Sequence, residues 1–136
     1  MRIALALCLA LIASGALAKG EQPADPFLNG GRVQGEELAR RIEAAEHHPL
    51  GSRENPVRTN GPGGQREYLT RLRCSDGRAP SFGRVGNFGP GVSNSIIDGY
   101  QVRCAGAEPA EAMIVMDMYF PDHRETRAAP GFTIAD

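Results

Sequence analysis

The first feature of the chain is a block of uniform hydrophobicity. Ile3 to Ala13 is eleven apolar residues without a break, preceded by Met1-Arg2 and followed by Ser14-Gly15-Ala16-Leu17-Ala18. A positive start, an apolar middle and small residues at Ala16 and Ala18 make up a secretory signal peptide, with cleavage expected between Ala18 and Lys19. At about 1.5 Å per residue the run spans roughly 16 Å as a helix. A bilayer core is about 30 Å thick, so the run is too short for a stable anchor. Cys8 lies early in the run behind Leu7, which does not suit lipid attachment.

After the block, residues 19–35 are rich in glycine, proline and polar residues and read as a flexible leader, with Phe27-Leu28 as its one apolar point. The domain is expected over residues 36–136. Glu36 to His48 is predicted as a helix: its residues favour the helical state, and Glu36/Arg40 and Glu37/Arg41 stand at i,i+4 in the favourable order. Its apolar stripe is only Leu38, Ile42 and Ala45, so it should dock weakly or lie on the surface. Pro49 and Gly51 end it. A short strand is expected around Val57, at a sheet edge because Pro56 lacks a ladder donor. Gly61-Pro62-Gly63-Gly64 reads as a loop. Gln65 to Cys74 fits a helical face (Tyr68, Leu69, Leu72) and also a strand face (Tyr68, Thr70, Leu72, Cys74). Gly77, placed where a helix should stop, favours the helix.

Arg78 to Ser95 reads as loop, with Gly83, Gly86, Gly89 and Gly91 among Pro80 and Pro90. Ser95–Cys104 and Ala112–Phe120 alternate as strands around a turn with Gly106 and Pro109, predicting an antiparallel hairpin. Pairing Val102 with Ile114 and Tyr100 with Met116 joins their apolar faces and points Cys104 inward, within reach of Cys74. The tail, with Phe132 and Ile134 alternating, is expected to dock. The fold class is therefore α+β: a small single domain with a C-terminal hairpin, one or two short helices and one disulfide.

Composition narrows the function. Loss of the first 18 of 136 residues leaves 118, enough for one small domain. It also removes Arg2, leaving 14 basic against 16 acidic residues, a net charge of −2 with no basic excess for nucleic acid. Cysteine arithmetic changes as well. Three cysteines become two, Cys74 and Cys104, and in an oxidising compartment such a pair is expected to bond. The loop so closed corresponds to about 3.7 kcal/mol in the chain-entropy model.

Chemistry is sparse. Asp98 falls on the apolar face of its strand, opposite Met118 in the expected register, where an ionised carboxylate requires partners. It is either an acid in a cleft or a structural carboxylate satisfied by a bulge or by loop amides. Asp117 points to the other face, so the two do not form a hydrolase pair across one bond. His47-His48 closes a helix, and His123 sits among Asp122 and Glu125; neither set makes four metal ligands. Gly61–Gly64 lacks the Lys-Ser/Thr of a phosphate loop, and Gly83–Gly91 lacks dinucleotide-binding spacing. No cofactor or metal is expected. The Gly83–Gly91 stretch is the candidate recognition loop, through Arg84, Asn87 and Phe88. No nucleophile, base and orienter can be assembled. The expected function is a non-catalytic binding or structural module for an envelope protein or small ligand. The alternative is a small periplasmic hydrolase using Asp98 with a histidine such as His123.

REYLTRLRCSDGRAPSFGRVGNFG, DGYQVRC and MIVMDMYF together, over roughly residues 52–134, resemble a group of small exported bacterial proteins to which no activity is attached. The resemblance implies a Gram-negative envelope setting and no catalytic residue.

Overall fold

The computed structural model describes residues 31–136, so the segment expected as a signal peptide (residues 1–18), Cys8 and Phe27-Leu28 lie outside the described residues. Gly31–Gln34, at the end of the segment read as a leader, is held by the loop at 91–95. The Val33 amide donates to the Ser93 carbonyl at 2.8 Å, and Asn94 Nδ2 donates to the Gly31 carbonyl at 2.9 Å.

Helix α1 (Gly35–Ala45) has Glu36 and Glu37 in its first turn, where negative charge suits the exposed amides. Glu37 binds Arg40 and Arg41 at 2.6 and 2.8 Å, and Glu36 reaches Arg40 at 4.0 Å. The helix stops three residues before the expected His48. Pro49 disfavours helical geometry in the residue before it, and His47-His48 forms a turn instead. Leu38 and Ile42 are half-buried and Ala45 is buried, so the thin stripe does dock.

Strand β1 (Val57–Asn60) is interior rather than an edge. It runs parallel to β5 (Glu111–Asp117), with Val57 beside Met116, and antiparallel to β6 (Tyr119–Arg124). Pro56 lies one residue outside the ladder, so its missing donor costs nothing there. Gly61 then turns the chain at φ +68 into α2 (Gly61–Arg71), and Pro62 occupies the first turn, where no amide donor is needed. Gly61–Gly64, expected as a loop, is thus the start of a helix. Gln65, Tyr68 and Leu69 are buried on its inner side.

The stretch expected as a loop before Ser95 is a strand. β3 (Ser81–Pro90) pairs with β4 (Ile96–Arg103), with register shifts between Arg84 and Gly86 and between Asn87 and Pro90. Gly86, Gly89 and Pro90 mark these bulges, the strand-compatible role of such residues. The sheet order is β3-β4-β5-β1-β6. A separate ribbon pairs β2 (Leu72–Arg73) with β7 (Thr133–Ile134), the docked tail.

The β4–β5 hairpin forms in a register two residues from the expected one. Tyr100 faces Ile114, Val102 faces Ala112, and Asp98 faces Met116 rather than Met118. A slip of two leaves every side chain on its face, so the apolar pattern alone does not distinguish the registers. The observed one extends the ladder to Arg103 and Glu111, and Cys104 then donates its amide to Ala110. β5 ends at Asp117 instead of running to Phe120; the chain turns at Met118 and returns along β1 as β6. The core lies between α2 and one side of the sheet, where Tyr68, Leu69 and Leu72 meet Val57, Tyr100, Val102, Ile114, Met116 and Phe132. The Cys74–Cys104 disulfide closes its end, with Cα atoms 5.8 Å apart. The fold is α+β.

Candidate functional site

Asp98 lies on the α2-facing side of β4, 5% exposed, with Met116 beside it on β5 and Asn87 on β3. Its carboxylate has two donors. Arg84 Nη2 approaches Oδ1 at 2.7 Å, and Gln65 Nε2 approaches Oδ2 at 3.2 Å. Tyr100 donates its hydroxyl to Gln65 Oε1 at 2.9 Å. The amide of Gln65 therefore ties the acid to the phenol. Pairing and hydrogen bonding offset part of the cost of taking a charged group out of water. Burial first, and then the Asp98 charge, push the Tyr100 hydroxyl up; the bond from Asp98 raises the Arg84 guanidinium.

β3 supplies the exposed half of this network. Arg84 and Asn87 stand on the Asp98 side, and the Arg84 side chain is 51% exposed. Phe88 lies on the other side of the sheet, over Gly99, where an added Cβ would run into its ring. The three residues expected on a recognition loop therefore sit on an edge strand, and Phe88 is turned away from the other two. Alternation along a strand separates neighbours that a loop would present together.

His123 is not part of this cluster. It lies on β6, with Nε2 3.9 Å from Glu125 and its ring edge-on to Phe120 at 6.4 Å. Between β4 and β6 stand β5 and β1, a separation of about 14 Å at the usual strand spacing. His47 and His48 are exposed in the turn after α1. Among the described residues, no three His, Cys, Asp or Glu side chains are grouped to hold a metal ion.

Two further polar clusters had little or no individual signal in the sequence. Asp117, 1% exposed on the opposite face from Asp98, accepts from Ser93 at 2.7 Å, from Ser95 at 2.8 Å and from the Tyr119 amide at 3.1 Å. It fastens the β3–β4 loop to β5. Around Arg58, the ladder neighbour of Asp117, Glu46 receives Arg58 and Arg127, and Arg127 also holds Glu125 at 3.0 Å. Hydrogen bonding from Arg127, with a smaller contribution from Arg58, lowers the Glu46 carboxyl to about 2. Burial would raise Glu125, but the side chain and backbone of Arg127 hold it below its usual value. Tyr68, its hydroxyl pushed up to about 12 by burial, accepts from the Ala129 amide and donates to the Arg127 carbonyl. Gln65 was detectable: it precedes Tyr68 and Leu69 at i+3 and i+4, so a polar side chain occupies the apolar stripe.

Comparison with protein-family models, curated proteins and solved structures finds no match to this chain.

Proposed function

We propose that this chain is an exported, non-catalytic binding module of the cell envelope, engaging a partner protein or small ligand on the surface around Arg84, Asn87 and Asp98. The observation that carries the reading is the state of Asp98. Both oxygens are engaged by Arg84 and Gln65, so the carboxylate orients a half-exposed guanidinium rather than acting as a base. A catalytic acid or base needs a reacting group within hydrogen-bond reach, and His123 stands three strands away. Export is supported by the apolar run at 3–13 with Ala16 and Ala18 behind it, and by the Cys74–Cys104 bond, which persists in oxidising compartments. Among the described residues no helix is long and apolar enough to cross a membrane.

The test is a photo-activatable residue at Asn87 in the exported protein, with Glu43 on the exposed side of α1 as control. Adducts from Asn87 and none from Glu43 are expected. Adducts equal at both positions, or absent from Asn87, would remove the basis for the reading.

A further inference from the structure

The two edges of the five-stranded sheet offer different surfaces to an incoming chain. β6 carries Pro121, which has no amide donor, then Asp122 at φ +61 and the polar His123 and Arg124. Proline, charge and irregular backbone are the usual means of blocking an edge. β3 has a single charge, Arg84, directed across the sheet to Asp98. It pairs only with β4, and among the described residues none of its backbone groups bonds to another segment. From Ser81 to Arg84 its ladder is regular, and the bulged Val85 that follows is 57% exposed.

The charge around this edge is mostly basic, and the acids near its Ser81 end, Asp76 and Glu111, are paired with Arg78 and Arg103. Arg84 is half-exposed, the exposed Arg66 follows Gln65, the residue bound to Asp98 and Tyr100, and Arg53 Nη2 lies 3.6 Å from where a Cβ on Gly89 would sit. Arg53 and Arg66 form no ion pair among the described residues. Asp98 is the acid of this group, and it is buried under Arg84. Glu54, next to Arg53, lines a groove beside α1. A second copy of β3 would bring the same arginines and no carboxylate of its own.

Resting on the binding reading above, we infer that the β3 edge accepts an extended acidic peptide as an added strand. Its main chain pairs with Ser81–Val85 and its carboxylates face Arg84, Arg66 and Arg53. Strand addition obtains affinity from backbone hydrogen bonds and selectivity from alternate side chains.

The experiment measures amide hydrogen exchange in the disulfide-bonded exported protein. The probes are two synthetic octapeptides, one alternating valine with glutamate and the other valine with lysine. The glutamate peptide should slow exchange of β3 amides between Gly83 and Val85 by about tenfold and leave β6 unchanged. The lysine peptide should leave the amides of both strands unprotected. In a protein carrying Arg53→Glu and Arg66→Glu the preference should invert, with the β4 and β5 amides unchanged as the control for folding. Equal protection by both peptides, protection at β6, or none at β3 would overturn the inference. If β3 amides stay unprotected while Asn87 still forms its adduct, strand addition fails and the binding reading stands. If both signals are absent, both fail.

Discussion

The Asp98 carboxylate, buried beside Met116, has both oxygens occupied, one by Arg84 and the other by Gln65. Removing it strands two partners. In Asp98→Ala, Gln65 keeps its bond from Tyr100 but its buried amide donor loses Asp98, and Arg84 is released to solvent. We expect a loss of about 1–3 kcal/mol, the cost of leaving a buried polar group unpaired, read as a lower urea midpoint with an unchanged denaturant slope. Asp98→Asn should lose less, because it keeps an acceptor for Gln65. That Asp98 belonged with an arginine was within reach of the sequence, since a charge on an apolar strand face requires a partner. Which arginine it was could not be read there. Arg84 is 14 positions away, and a bulge in the intervening strand decides whether it faces Asp98.

Between elements, the charged cluster around Glu46 joins the end of α1 to β1 through Arg58 and to the segment after β6 through Arg127. The sign of its pH effect follows from the lowered carboxyl. Glu46 stabilises the folded chain above its ordinary value of 4.5, and that contribution is lost as pH falls toward about 2. Glu46→Gln should therefore be less stable than the parent at neutral pH and lose less further stability between pH 4.5 and 2. Urea midpoints across that window check it; parallel pH profiles for the two proteins would contradict it. The elements themselves were legible where periodicity was long. The β4–β5 hairpin follows from its apolar spacing and α1 from its helix-forming residues and i,i+4 pairs; the spacing over 65–74 fitted helix and strand alike, with only Gly77 favouring the helix, and β3 was hidden. Its three glycines supply no alternating side chains, and its strand state comes from hydrogen bonding to β4.

For the molecule as a whole, the disulfide has the largest expected effect. Reducing it should destabilise the chain by up to about 3.7 kcal/mol on the loop-entropy estimate. Urea unfolding with and without reductant measures this, and the Cys74→Ser, Cys104→Ser double variant should match the reduced protein. Coincident curves would show that the bridge constrains little of the unfolded chain. The expectation of this bond needed only residue counting and the expectation of export, since two cysteines remain once residues 1–18 are set aside. The α+β class and the apolar face of the hairpin were equally readable, since burial imposes a period on each element. The two-residue hairpin register, the interior position of β1, the Asp98–Arg84–Gln65–Tyr100 network and the open β3 edge were not. Each depends on which distant segments pair, and many pairings satisfy the same local pattern of apolar and polar residues. Packing of α2 on the sheet and closure of the Cys74–Cys104 bond select among them.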